Sequence, residues 1–237
     1  MTDTISARYA LPLLQPAQAQ KHVTVNDALQ RLDALTNLTL QSRSVIIPPQ
    51  NAPEGACWAV PAGATDAWMN AVGKIATALN GGWIFTAPSQ GMRATILDEG
   101  LEAIFLGNGW SAGVLSSGPL GAGMRVGILE GLVTVTAGGK VTTDLIIPQG
   151  AMVIGATAKV KVAITGTLTN WQLGTSDGVN RFGSGLGLAA GSWARGMLSQ
   201  PMTYWNAAPL IMTATGGDFA AGKVAMAIHW LELALPS

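Results

Sequence analysis

Residues 223–235 read KVAMAIHWLELAL, and this run decides the fold class. Successive side chains of a β-strand point to opposite faces, so Val224, Met226, Ile228 and Trp230 are expected to share one face. The other face carries alanine, histidine and leucine, which makes both faces nearly apolar or small. Such a pattern is typical of a strand that is buried on both sides.

Four further runs of the C-terminal half also alternate: residues 132–137, 140–147, 152–165 and 209–214. No helical pattern lies between them. Evenly spaced strands without intervening helices indicate an antiparallel β-sandwich. We therefore predict a mainly β protein whose residues 120–237 form a jelly-roll-like sandwich.

The middle of the chain, residues 48–115, predicts a small domain of β-hairpins. Apolar runs at 75–79 and 83–86 flank Asn80-Gly81-Gly82, a sequence that favours a tight turn. Runs at 92–97 and 101–106 flank Asp98-Glu99-Gly100 in the same way. The glycine- and serine-rich residues 111–123 are interpreted as a linker, with a domain boundary near residue 120.

The first 47 residues predict an extended arm followed by an amphipathic helix that anchors or oligomerises the chain. Pro12 and Pro16 disfavour regular structure in residues 8–22. Thr24 and Asp27 resemble a capping box, which would start the helix after Thr24. Alternating steps of three and four residues then form a coiled-coil-like seam, which either lies on the chain's own sheet or packs against symmetry mates. The predicted anchoring residues are Leu11, Leu14, Val25, Ala28, Leu32 and Leu35.

The composition favours an assembled protein. Charged residues make up 11% of the chain and apolar residues 49%, whereas roughly 25% charged is ordinary. Surface of this kind is easiest to keep in solution when it is buried between copies, as in a homotrimer. The 13 basic and 13 acidic residues cancel, so nothing attracts nucleic acid. No signal peptide and no membrane-inserting run of 18 apolar residues is expected.

No catalytic or metal-binding pattern stands out. His22 and His229 fall in different predicted domains and have no partner at metal-ligand spacing. Cys57 is the single cysteine, lies among apolar residues and has no neighbouring base, which predicts an inert thiol. His229, in an apolar strand, is better explained as a structural residue.

Enzyme chemistry of other kinds lacks support as well. Glycoside hydrolysis needs two carboxylates facing a cleft, whereas Asp98, Glu99 and Glu102 crowd one predicted turn. No nucleophile elbow lies between a strand and a helix, and no glycine-rich loop opens a helix as a phosphate site requires. We predict that the protein is not an enzyme and needs no cofactor. A polysaccharide-degrading activity remains a third hypothesis.

Aromatic residues of the C-terminal half suggest a carbohydrate-binding surface. Flat indole and phenol rings beside amide, carboxylate and guanidinium groups suit sugar rings, which have apolar faces and hydroxyl edges. The same aromatics could instead fill the sandwich core or a trimer axis. The candidate glycan-binding residues are Trp171, Asp177, Asn180, Arg181, Trp193, Tyr204 and Trp205.

Residues 11–35, together with the run GMRATILDEG at 91–100, resemble an uncharacterised N-terminal domain family. The resemblance covers residues 11–110, and proteins that carry this domain look like tail fibres and head spikes of alphaproteobacterial phages, prophages and gene transfer agents. Residues 181–192 and 227–232 are more loosely similar to C-terminal modules of the same class of particle proteins.

The resemblance implies a structural component of a phage-like particle, located in the virion. It would attach the particle to a bacterial surface, through capsular or envelope polysaccharide. Its partners would be copies of itself, other structural proteins of the particle and the host polysaccharide. The alternative is a purely structural base or connector that holds a separate receptor-binding protein.

Overall fold

The computed structural model describes residues 4–14 and 21–236, with side chains of the helix from Val25 onward. These residues form β-strands and one α-helix, α1 (Lys21–Leu35), which confirms the mainly β prediction. The chain divides into two compact units, one ending at Val114 and the other beginning at Leu115.

The first unit contains one mixed sheet of seven strands. Their order in the sheet is β4-β3-β2-β1-β5-β6-β7. Strand β1 runs parallel to both of its neighbours, and the remaining pairs are antiparallel. The strands are β1 (Thr39–Leu40), β2 (Cys57–Ala59), β3 (Ile75–Leu79), β4 (Gly82–Thr86), β5 (Arg93–Ile96), β6 (Leu101–Phe105) and β7 (Trp110–Ala112), with a 3-10 helix at Asp66–Trp68.

Both predicted hairpins are present. Leu79 pairs with Gly82, which leaves Asn80 and Gly81 as a two-residue loop. Their φ angles are 53° and 71°, as a type I′ turn requires. Strands β5 and β6 form the second hairpin, whose last loop residue, Gly100, has a φ of 66°.

The helix begins earlier than predicted. It starts at Lys21, so Thr24 lies inside it and the capping-box prediction is wrong. Pro16 and the side chain of His22 lie outside the described residues. The arm at residues 4–14 folds back on itself through a bridge between Ile5 and Pro12.

The arm, the helix and the strands belong to the same compact unit. Ala34 and Leu38, at and after the end of the helix, pack with Leu40, Cys57 and Ile75 in one buried cluster. In a second cluster three tryptophans pack in edge-to-face and tilted arrangements, with ring centroids 5.0–6.1 Å apart. They are Trp58, Trp68 and Trp83.

The second unit is a β-sandwich, as predicted. A four-stranded sheet, β10-β15-β12-β13, faces a five-stranded sheet, β14-β11-β16-β9-β8, and both contribute to one buried apolar cluster. The strands are β8 (Val114–Ser117), β9 (Gly123–Val135), β10 (Lys140–Ile147), β11 (Met152–Gly166), β12 (Asn170–Thr175), β13 (Gly178–Leu186), β14 (Trp193–Thr203), β15 (Ala208–Thr215) and β16 (Phe219–Ala234). The boundary between the two units falls inside the predicted linker at residues 111–123, but β7 and β8 make part of this segment strand rather than coil.

Nearly all of residues 223–235 lie in β16, at the centre of the five-stranded sheet. Val224, Met226 and Ile228 lie in the core between the sheets. Its other face is covered only in part: His229 and Leu231 are half-buried and Leu233 is 70% exposed. Burial on both sides is therefore incomplete within this chain.

Candidate assembly and binding surfaces

A buried carboxylate holds the N-terminal arm against the helix. Asp33 is 3% exposed and accepts hydrogen bonds from the Ser6 hydroxyl at 2.7 Å and from the backbone N–H groups of Arg8 at 2.8 Å and Tyr9 at 2.6 Å. A buried carboxylate needs such donors because burial removes its water. The sequence does not predict this role, because Asp33 is one of several polar residues of the helix.

The Arg8 side chain completes the contact at the end of the helix. Its guanidinium donates to the backbone carbonyls of Ala34 at 2.6 Å, Asp33 at 3.1 Å and Asn37 at 3.0 Å. The last carbonyls of a helix have no partners within the helix, and a cation there also matches the helix dipole. The arm therefore supplies the C-terminal cap of α1.

The helix seam is largely exposed. Val25 is 41% and Leu32 57% exposed, and Ala28 is exposed as well. Leu35 alone of the four seam residues packs against the strands of its own unit. We call Val25, Ala28 and Leu32 the helix seam surface.

The two anchoring residues of the arm lie beside this helix. Leu14 is 42% exposed, and its backbone N–H and carbonyl bond the side-chain amide of Asn26 at 2.8 and 2.9 Å. Leu11 is half-buried. The described part of the arm is thus fixed while it leaves apolar side chains open to solvent.

Two of the predicted glycan-binding aromatics are core residues. Trp171 is 2% and Tyr204 6% exposed, and both belong to the sandwich core. The Trp171 indole N–H donates to the Gly187 carbonyl at 3.0 Å. Neither ring can present a flat face to a sugar at the surface, so both leave the candidate set.

The predicted polar companions form an internal network. Arg181 donates to the Asp177 carboxylate at 3.0 Å and to the Tyr204 hydroxyl at 2.9 Å, and buried Thr175 donates to Asp177 at 2.6 Å. The hydrogen bond from Thr175, followed by those from Arg181, lowers the pKa of Asp177. This network braces the turn between β12 and β13, while neighbouring Asn180 is exposed.

Two predicted tryptophans are open to solvent. Trp193 is 69% and Trp205 78% exposed, and the Arg195 guanidinium lies 5.8 Å from the centre of the Trp193 ring. Trp205 lines a concavity of about 510 Å³ in the second unit. Its walls are mostly apolar: Met124, Gln149, Gly150, Met152, Thr203, Trp205, Leu231, Glu232 and Leu233.

Sequence reasoning did not identify most of these walls. The sequence does contain one indication of them. Apolar residues continue to alternate in β16 at Leu231 and Leu233, beyond the part of the strand that lies in the core. The concavity has a size ordinary for ligand sites. Its aliphatic walls suit apolar groups better than sugars, with Trp205 as the exception.

The side chains of Cys57 and His229, which could be reactive, have structural contacts. Burial raises the pKa of the Cys57 thiol, against the effect of its contact with Thr77, so the reactive thiolate is disfavoured. His229 lies 3.3 Å from the Thr157 hydroxyl. Among the described residues, no three His, Cys, Asp or Glu side chains are grouped so as to hold a metal ion.

The acids of the second hairpin also have structural partners. Glu99 pairs with Arg43 through two bonds of 2.6 and 2.9 Å, and Glu102 accepts from the Thr95 hydroxyl at 2.7 Å. The hairpin explanation for this acidic turn thus has a geometric basis. No helix in the described part of the chain is long and apolar enough to cross a membrane.

Comparison with known proteins identifies a domain family that matches part of the first unit. Residues 25–111 match the family described as "Protein of unknown function (DUF2793)", which agrees with an uncharacterised domain in this part of the chain. A search of curated proteins found no match. The solved structure titled "Cyanophage Pam1 capsid asymmetric unit" contains a chain 20% identical to this one, with a TM-score of 0.35 over 50% of this chain and 92% of that chain.

Proposed function

We propose that this protein is a non-enzymatic structural component of a phage-like particle, a tail fibre or head spike, and that its N-terminal helix joins it to the assembly. The particle context comes from the sequence resemblance of residues 11–110. The observation that carries the role of the helix is the helix seam surface. Its apolar side chains are exposed on a helix whose arm and C-terminus are fixed by Asp33 and Arg8.

Rigidity supports an assembly role for this surface. A short isolated helix is marginal in water, but α1 is held by its arm and by the strands of its unit. A surface prepared in this way loses little conformational entropy when it binds. The partners we propose are further copies of the chain and neighbouring proteins of the particle, and the protein would reside in the virion or gene transfer agent.

Particle incorporation tests this proposal. Val25→Glu/Leu32→Glu and wild type would be expressed in a bacterium that produces the particle, and the protein would be quantified per purified particle by mass spectrometry. We expect wild type in the particle and at least a tenfold loss for the double variant. Arg31→Glu, which changes an exposed residue off the seam, should incorporate normally. Absence of the wild-type protein from particles would overturn the proposal, as would normal incorporation of the double variant.

A second candidate role is attachment to capsular or envelope polysaccharide. The observation in its favour is the exposure of Trp205 beside the polar groups of Gln149, Thr203 and Glu232 in one concavity. Weak binding of this kind gains strength from several copies on one particle. Because Trp171 and Tyr204 are buried, fewer residues support carbohydrate binding than the sequence suggested. A structural role in the particle therefore has more support than attachment.

Binding of the full chain to an array of bacterial capsular polysaccharides tests the second role. Wild type should bind at least one polysaccharide, and Trp205→Ala should reduce that binding tenfold or more. Met202→Ala, which removes another exposed side chain of the same unit, should bind as wild type does. A wild-type protein that binds no polysaccharide would leave the connector role alone.

A further inference from the structure

Four basic side chains gather on the outward side of the five-stranded sheet. Because Ala158, Val160 and Val224 lie in the sandwich core, the residues that alternate with them along β11 and β16 point away from it. The cations on this side are exposed, and an exposed indole stands among them. We call this set the basic patch: Lys159, Lys161, Trp193, Arg195 and Lys223.

Strand register places the members of the basic patch next to one another. Trp193 on β14 lies directly opposite Lys159 on β11, on strands that are about 4.8 Å apart. Lys223 on β16 pairs with Val162, the residue after Lys161. Because β11 lies between β14 and β16, the basic patch is one continuous area across three adjacent strands.

The charge of this side of the sheet differs from the charge of the whole chain. The 13 basic and 13 acidic residues of the chain cancel. Among the described residues of β9, β11, β14 and β16, one acid, Glu130 on β9, shares the outward side with the four cations. None of these cations forms an ion pair within the described part of the chain. Like charges on neighbouring strands destabilise a sheet, so this grouping does not serve the fold, and an anionic ligand would relieve the repulsion.

The arrangement of the cations favours a polymer with many anionic groups over a small anion. A single exposed ion pair is weak and is screened by salt, so one lysine would not hold an ion firmly. A polymer that carries a charge on each repeat contacts several cations at once, and linked contacts strengthen one another. Ammonium and guanidinium groups both bind carboxylate and phosphate oxygens.

The indole of the basic patch indicates that the repeats are sugars. Trp193 is 69% exposed, and the Arg195 guanidinium lies 5.8 Å from the centre of its ring. A flat aromatic face suits the apolar face of a sugar ring, while the cations beside it reach acidic substituents. Single-stranded nucleic acid is less suited, because successive bases stack on several aromatic rings and the basic patch has one.

A lipid surface is also less suited to the basic patch. Proteins that lie on membranes bury apolar side chains below the level of the charged headgroups, so those side chains must project beyond the basic ones. Here the neighbours of the lysines are short: Lys159 pairs with Ala225, and Lys223 pairs with Thr134 and Val162. Apart from the indole, the ammonium groups therefore reach farther from the sheet than the apolar atoms around them.

We propose that the basic patch binds an acidic polysaccharide. Trp193 stacks on one sugar ring, and the four cations bind the acidic groups of this sugar and of its neighbours in the polymer. The site is separate from the Trp205 concavity: Met152, which lines the concavity, is roughly 20 Å from Lys159 along β11. The use of this site in particle attachment rests on the second role proposed above.

Binding of the full chain to polygalacturonate, which carries one carboxylate on each sugar, tests the site. Isothermal titration calorimetry at low ionic strength would compare wild type with Lys159→Gln/Lys223→Gln, Trp193→Ala and Lys140→Gln. We expect wild type to bind with an affinity that falls as salt is added, and the first two variants to bind at least tenfold more weakly. Lys140→Gln, which changes an exposed lysine of the other sheet, should bind as wild type does.

Other results would overturn the assignment. If wild type does not bind polygalacturonate, or if the variants of the basic patch bind it as wild type does, the patch is not a site for acidic polysaccharide. Tighter binding of double-stranded DNA or of phosphatidylglycerol vesicles would assign the patch to a different polyanion. Circular dichroism of each variant would show whether it is folded.

Failure of this inference is distinguishable from failure of the proposed roles. A protein that binds a neutral polysaccharide through Trp205, but does not bind polygalacturonate, would keep the attachment role and contradict the basic patch. Trp205→Ala should leave binding of polygalacturonate unchanged. The assembly role is measured on helix variants by particle incorporation, which does not depend on either site.

Discussion

The Asp33 carboxylate accepts the backbone N–H of Arg8 at 2.8 Å, and the Arg8 guanidinium donates to the carbonyl of Asp33 at 3.1 Å. These two residues are 25 positions apart in the chain, so together they fix the arm, which folds back on itself rather than extending as predicted, to the end of a helix. The first unit therefore presents the helix seam surface from a braced support.

Replacing the buried carboxylate should loosen this support. We expect Asp33→Ala to lower the free energy of unfolding of the first unit by about 2–4 kcal/mol, because three donors lose a charged acceptor. Urea denaturation would measure the change. Asp27→Ala, at an exposed position of the same helix, should have little effect, and equal effects for the two variants would refute the role of Asp33.

Gly127 is predicted to be intolerant of a side chain. A Cβ atom at this position would collide with the indole of Trp230 on the paired strand. We expect Gly127→Ala to destabilise the sandwich by about 1–3 kcal/mol through overpacking. Gly109→Ala, where a Cβ meets nothing within 4 Å, is the control, and thermal unfolding of both variants provides the comparison.

The turn between β3 and β4 depends on left-handed backbone at both loop positions. We expect Gly81→Ala to cost about 1–2 kcal/mol of stability, because an L side chain disfavours its φ of 71°. Asn80→Gly, at a φ of 53°, should be close to neutral. A Gly81→Ala variant with wild-type stability would show that the loop adopts another turn.

The Asp177 network should give the sandwich a pH-dependent contribution at acid pH. Because the folded-state pKa of Asp177 is lowered, its contribution is present above the unfolded-state pKa of about 3.9. It disappears as the pH falls through the folded-state pKa. The difference in unfolding free energy between wild type and Asp177→Asn should therefore be larger at pH 7 than at pH 2. Asn180→Ala, which changes a neighbouring exposed side chain that carries no charge, should show no such dependence, and a difference independent of pH would contradict the network.

Local rules were sufficient for both hairpins and for the alternating strands β10, β11, β15 and β16, but not for β12, β13 and β14. The turn at Asn80–Gly81 requires positive φ at two adjacent positions, and few other sequences satisfy it. The alternation in β16 likewise follows from strand geometry alone. These features depend on neighbours in the sequence, which is why they could be predicted.

The features that could not be predicted depend mainly on contacts between residues that are distant in the sequence. Trp171 stands in a polar, glycine-rich stretch, yet pairing with Ala214 and Leu186 turns its ring into the core. The start of the helix at Lys21 rather than after Thr24 likewise contradicts a local capping pattern. Asp33 was overlooked because its donors come from the arm, which the helix sequence does not reveal.

The amount of the chain in purified particles tests the proposed function most directly. Mass spectrometry should detect the wild-type protein in the particle, a depletion of at least tenfold for Val25→Glu/Leu32→Glu, and normal incorporation of Arg31→Glu. Absence of the wild-type protein from purified particles, or normal incorporation of the double variant, would contradict the role assigned to the helix seam surface.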